Sequence, residues 1–188
     1  VTEGSDSQKG RNSAYNGNVT IDGSDEGIRV NSAFIILGDY YYGYETLADA
    51  LAYVKEDVTI VELSRDVVLT EALTIPEGKT LTLDLKGKTI SQAQTQTTGY
   101  SMIDNKGTLV LKSSVSGGKL NYSDQTTLTS AVNYVSNVIG NSGNLTIEEG
   151  VIVVNNSNNS ISEYGYPHAI DNSGTLTING GLIENNSN

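Results

Sequence analysis

Five tyrosines, Tyr100, Tyr122, Tyr134, Tyr164 and Tyr166, are the side chains of this sequence best suited to hold a ligand. A phenol offers a flat apolar face and a hydroxyl, which suits a sugar ring or a protein partner. Each sits in a stretch otherwise rich in Ser, Thr, Asn and Gln. Groups for catalysis are scarcer. His168 is the one histidine, and a serine triad or a zinc site needs partners that it lacks. Glycoside hydrolysis needs converging carboxyl groups roughly 5–9.5 Å apart. The matched pair Asp104 and Asp171 shares a place in an internal repeat, with Gly140 between them. Two coils of separation would set them roughly 10 Å apart and parallel rather than converging. The run Asp22-Gly23-Ser24-Asp25-Glu26-Gly27 fails as an EF-hand loop, because position twelve is Ala33, and it reads as a solvated acidic turn. No catalytic residue, metal or cofactor is expected.

The elements that must position the tyrosines come from the repeat. The stretch Ile170-Asp171-Asn172-Ser173-Gly174-Thr175-Leu176-Thr177-Ile178 recurs at Ile139–Ile147 and Ile103–Leu111, and Thr80-Leu81-Thr82-Leu83 starts a more divergent copy. The leading leucines are spaced 109 − 81 = 28, 145 − 109 = 36 and 176 − 145 = 31 residues apart. Such a period marks a repeat architecture. Apolar-Thr-apolar alternation makes each copy a short strand, and no helical pattern intervenes. Strands meeting their own copies stack in register about 4.8 Å apart. Leu81, Leu109, Leu145 and Leu176 then form one inward ladder, and Leu83, Leu111, Ile147 and Ile178 a second. Ile90, Leu120, Ile152 and Ile183 are expected to form a third. Asn105, Asn141 and Asn172 form a structural ladder of amides that both donate and accept. Gly107, Gly143 and Gly174 are expected to supply turns with φ > 0.

These repeats resemble right-handed parallel β-helix domains of the pectate-lyase-like superfamily, and more narrowly the "GTLTINGG" modules of large secreted or surface proteins of gut bacteria. The resemblance covers about residues 44–188. It implies a solenoid fold that hosts lyases, hydrolases, adhesins and passive stalks. A lyase of this family would need an arginine base and a calcium site of clustered carboxylates. The arginines are Arg11, Arg29 and Arg65, none of them in the repeats after residue 80.

Residues 1–45 read as a polar arm followed by a β-hairpin, with a strand at Ile28–Leu37, a turn at Gly38-Asp39 and the run Tyr40-Tyr41-Tyr42-Gly43-Tyr44. Residues 46–57 read as a helix starting at Thr46, with Asp49 as a loose capping box and Leu47, Ala48, Leu51, Ala52 and Val54 as its apolar stripe. Its expected task is to cover the first coil. Residues 58–188 make the β-helix, beginning with strands at Val58–Leu63, Val67–Leu69 and Leu73–Ile75. The variable stretches 91–102, 121–138 and 153–169 share one repeat position and should emerge on one side, where solenoids often bind. The start at Val1 and the end at Asn188, inside a coil, are read as those of a C-terminally truncated piece with further coils downstream.

The net charge of −11 disfavours nucleic acid and anionic membrane surfaces. Without cysteine there is no disulfide or thiol chemistry. No apolar run reaches the length of a membrane span. The expected fold is all-β: a right-handed single-stranded parallel β-helix with a short N-terminal hairpin and a capping α-helix. The expected function is a non-enzymatic module of a bacterial cell-surface or extracellular protein, an adhesin or stalk contacting glycans or a host surface protein. The alternative is a piece of a carbohydrate-active β-helix enzyme, lyase or hydrolase, whose active coils lie outside residues 1–188. An ice-binding face is a third reading, weakened because Val110 interrupts the threonines Thr82, Thr146 and Thr177.

Overall fold

The structure is a computed structural model that describes residues 31–37, 40–54, 59–92, 101–122, 137–156 and 168–186. The Asp22–Gly27 turn and the Gly38-Asp39 turn lie outside these residues. Within them, the chain is all-β apart from one short helix, and its strands are mostly parallel in stacked sheets, an arrangement compatible with a β-helix-like solenoid.

The strands follow from period-2 alternation. An apolar side chain points inward, a Thr or charged one outward, and the copy one coil later repeats the choice. The first coil holds β3 (Thr59–Leu63), β4 (Val67–Leu69) and β5 (Leu73–Ile75), after an N-terminal β1 (Ala33–Leu37), β2 (Tyr40–Tyr44) and α1 (Leu47–Ala52). The second holds β6 (Thr80–Asp84), β7 (Thr89–Gln92) and β8 (Ile103–Asn105), and the third β9 (Thr108–Lys112), β10 (Gly118–Tyr122) and β11 (Ile139–Asn141). The fourth holds β12 (Asn144–Ile147), β13 (Val151–Asn155) and β14 (Ile170–Asn172), and the fifth β15 (Thr175–Ile178) and β16 (Leu182–Asn185). Three sheets result, ordered β15-β12-β9-β6-β3-β1-β2, β16-β13-β10-β7-β4 and β14-β11-β8-β5.

The first two leucine ladders have the expected register. Leu81, Leu109, Leu145 and Leu176 pair in sequence, as do Leu83, Leu111, Ile147 and Ile178. Leu145 and Ile147 are buried, at 1% and 0% exposure. The third ladder corrects the expectation by one residue: Ile90 and Leu120 stack on Val153 and Ile183, not on Ile152. In Val151-Ile152-Val153-Val154 both faces of the strand are apolar, so alternation does not reveal which side faces the core.

The glycine expectation is also corrected. Gly107, Gly143 and Gly174 do not have positive φ; that conformation belongs to Gly78, Gly87, Gly117, Gly150 and Gly181. The first three are glycines because the coils touch there. A Cβ on Gly143 would stand 2.0 Å from the Gly107 carbonyl oxygen, and one on Gly174 2.2 Å from that of Gly143.

At the N-terminal end, β1 and β2 form the expected hairpin, and β1 also pairs antiparallel with β3. The hairpin therefore ends the parallel stacking of the largest sheet. Helix α1 is shorter than expected, running Leu47–Ala52, with Thr46 Oγ1 accepting from the Asp49 N–H at 3.0 Å. Its buried residues are Leu47 and Ala50, whereas Ala48 and Ala52 are exposed. A helix of this length presents a single turn to the core, so the longer stripe is not realised. With β5 and β6 it lines a cavity of about 240 Å³ between Leu51, Ala52, Val54, Ile75, Pro76 and Leu81.

Candidate binding face

The stretches 93–100, 123–136 and 157–167 all connect a strand of the five-stranded sheet to one of the four-stranded sheet. They lie outside the described residues, and with them Tyr100, Tyr134, Tyr164 and Tyr166. Their points of departure and return are described. Departures stack because Tyr122 pairs with Asn155, and Asn155 with Asn185. Returns stack because Ile103, Ile139 and Ile170 pair in sequence.

This corner is held by polar side chains turned onto the backbone. Asn137 Oδ1 accepts from the His168 N–H at 2.9 Å, and its Nδ2 reaches Asp171 Oδ2 at 3.4 Å. Asn155 Nδ2 donates to the His168 carbonyl at 2.9 Å, tying the departure of one stretch to its own return. Just outside, Asn186 Nδ2 donates to Asn156 Oδ1, and Asn156 Nδ2 to Asn121 Oδ1, each at 3.1 Å. Met102, Val138 and Ala169 fill the interior directly behind. His168 itself is exposed.

Tyr122 does not belong to the face. It is 6% exposed and part of the core, which corrects its assignment as a ligand-binding residue. The sequence carried the signal: Gly118, Leu120 and Tyr122 alternate along β10, and Leu120 points inward.

Asn105 and Asn141 are buried inside the neighbouring corner, and Asn172 continues their column in the next coil, where it is exposed. Asn105 Nδ2 donates to Asn141 Oδ1 at 2.7 Å, and Asn141 Nδ2 to Asn172 Oδ1 at 2.6 Å. The same amides donate to the carbonyls of Asn144 and Thr175, each at 3.0 Å. Asn105 and Asn141 thus each tie their own coil to the next.

Asp104 and Asp171 pair with Gly140 from opposite sides, as expected. Asp104 is engaged by Lys106 at 2.9 Å and Asp171 by Asn137. Among the described residues, no group of three or more His, Cys, Asp or Glu is placed to hold a metal ion. No described helix is long and apolar enough to cross a membrane.

One buried carboxylate escaped the sequence reading. The Asp84 side chain is 1% exposed and brackets two coils. Its Oδ1 accepts from the Lys86 N–H at 3.0 Å and the Ser114 N–H at 2.9 Å, while Lys112 Nζ lies 3.5 Å from Oδ2. Burial raises its pKa, but the Ser114 and Lys86 amides, the Ser114 side chain and the Lys112 charge outweigh that and hold it below the ordinary value.

No family model matches the chain, nor does any curated protein or solved structure.

Proposed function

We propose that the chain is a right-handed parallel β-helix of the pectate-lyase-like kind. It serves as a non-enzymatic adhesin or stalk module of an extracellular or cell-surface protein and contacts glycans through one face. The right hand follows from the near-universal sense of parallel crossovers. The observation that supports the binding part is the stacking of departures and returns at one corner, Tyr122 over Asn155 and Ile103 over Ile139 over Ile170. Three consecutive excursions from such a corner span about 10–15 Å, the scale of a short oligosaccharide. Tyr134, Tyr164 and Tyr166, with Tyr100 at the edge, supply rings for sugar faces, and the neighbouring Asn, Ser and Thr supply hydrogen bonds. The buried Tyr122 takes no part.

A glycan array probed with the unmodified chain and with a Tyr134→Ala, Tyr164→Ala double variant tests this reading. Retention of defined glycans, lost or weakened in the double variant, is expected. No retention, or retention unchanged by the double variant, removes the carbohydrate face and leaves a stalk.

A further inference from the structure

The outward side of the seven-stranded sheet repeats one residue type more often than strand formation requires. Strands β6, β9, β12 and β15 pair in parallel register, so their outward residues stand in columns. The first column is Thr80, Thr108, Asn144 and Thr175. The second, two residues further along each strand, is Thr82, Val110, Thr146 and Thr177. Six of these eight positions are threonine, so the face is close to one motif written four times. Read from the sequence, the second column looked broken at Val110. The register sets an unbroken polar column beside it.

Strand propensity does not explain this. Thr favours strands, but that preference acts on all three sheets alike. The five-stranded sheet has the outward column Val68, Ser91, Asn121, Val154 and Glu184. The four-stranded sheet has Thr74, Asp104, Gly140 and Asp171. Both mix charged and uncharged groups, and neither holds more than one threonine.

The threonine face is a regular net. Its two columns lie about 6.6–6.8 Å apart along the strands, and successive coils about 4.7–4.9 Å apart. A β-branched side chain has a restricted χ1, so each hydroxyl and methyl keeps its place in the net. Thr80, Thr82, Thr108 and Thr146 are partly exposed, as outward side chains between neighbouring strands should be. Immediately ahead of the first column stand Gly107, Gly143 and Gly174, which have no side chain to rise above it. Asn144 Nδ2 reaches Thr108 Oγ1 at 3.5 Å and so continues the polar column. Beyond the second column the charged groups are engaged. Asp84 is folded onto the Lys86 and Ser114 amides, and Glu148 accepts from Asn179 Nδ2 at 2.9 Å.

A ligand that uses such a net must be flat, uncharged and periodic in two directions. A single glycan chain or an extended peptide repeats in one direction only. The prism face of hexagonal ice repeats in two. One of its spacings is slightly shorter than the separation of coils, and the other slightly longer than the separation of the columns. A hydroxyl both donates and accepts, so it can stand in for a lattice water of either orientation. The threonine methyls add apolar contact with the hollows between lattice oxygens. We propose that Thr80, Thr82, Thr108, Thr146, Thr175 and Thr177 form an ice-binding face. Val110 keeps the branched outline of threonine and omits one hydroxyl. The excursions leave from the corner between the other two sheets, so this inference is independent of the glycan reading.

The test grows ice slowly through a dilute solution of the full chain and measures the protein in the ice and in the remaining liquid. The unmodified chain should enter the ice, and single crystals grown in its presence should be faceted. Thr146→Lys puts a long charged side chain at the centre of the net and should return the chain to the liquid. Thr74→Lys makes the same change on the four-stranded sheet and should leave uptake as it is. Val110→Thr supplies the missing hydroxyl and should raise uptake. Circular dichroism checks that each variant is folded, which outward positions allow. Exclusion of the unmodified chain from ice overturns the proposal, as does uptake of Thr146→Lys equal to that of the unmodified chain. Sedimentation of the same samples covers a second occupant. An unmodified chain that is excluded from ice and dimeric, with Thr146→Lys monomeric, assigns the face to a second copy and overturns ice.

Discussion

Asn105 and Asn141 share a hydrogen bond of 2.7 Å while both are buried, at 0% and 2% exposure. Asn141 passes the pattern on to Asn172 and to the Thr175 carbonyl. Asn141→Ala therefore strands groups in two neighbouring coils and should cost about 1–3 kcal/mol. Asn156, exposed and bonded to Asn121 and Asn186, is the control. Thermal melting should show a clearly lower midpoint for Asn141→Ala than for Asn156→Ala, and equal midpoints would rule out a structural role for the ladder.

The close approach of Gly143 to the Gly107 carbonyl predicts a contrast between two glycines. Gly78 has φ +75, and a methyl added there would have nothing within 4 Å, so Gly78→Ala costs only the left-handed backbone, about 1–2 kcal/mol. Gly143→Ala instead drives a Cβ into backbone that cannot yield without separating coils. Urea melts should place it well below Gly78→Ala; the reverse order would mean that conformation, not contact, selects glycine there.

Leu145 stacks between Leu109 and Leu176 and is 1% exposed. Leu145→Ala should cost about 2–5 kcal/mol, through lost burial and the cavity left behind. Leu176→Ala, in the partly open fifth coil, should cost less. Chemical denaturation of the two variants checks the ranking.

Asp84 makes a prediction in acid. Its folded pKa lies below the ordinary 3.8, so the stability it contributes is present above that value and lost as pH falls through the folded value. Asp84→Asn keeps an acceptor for the Lys86 and Ser114 amides but loses the charge facing Lys112. The stability gap between unmodified chain and variant should narrow between about pH 6 and about pH 3. A gap that stays constant over this range would show that the carboxylate charge contributes nothing.

The parts of this fold legible in the sequence were those that repeat. Leu109, Leu145 and Leu176 announced their column because each sits between polar or β-branched neighbours in an alternating run. Where both faces are apolar, as at Ile152 and Val153, alternation is silent and the register slipped by one. Gly143 was identified as necessary but for the wrong reason, since a close backbone approach and a positive φ select the same residue type. Asp84 was missed because nothing in the run Leu83-Asp84-Leu85 distinguishes an outward carboxylate from one folded back onto Lys86 and Ser114. The pairing of β1 with β3 could not be read either, since it depends on where the hairpin comes to rest. The candidate face was legible only as a shared repeat position, and the burial of Tyr122 needed the register of β10.

The amide ladder has a direction. Every rung donates toward the C-terminal side: Asn105 to Asn141, Asn141 to Asn172. Asn172 ends it by donating to the Gly174 carbonyl of its own coil. At the other end Asn105 Oδ1 is buried with no donor among the described residues, because the residue paired with it in the coil before is Ile75. The stack is therefore a vector with chemically unlike ends. A duplicated asparagine coil inserted between Asn105 and Asn172 would find an acceptor on one side and a donor on the other. The same coil inserted ahead of Asn105 would supply the donor now missing. A stack of parallel strands with this internal polarity can lengthen by copying its own rungs, and each copy arrives already oriented.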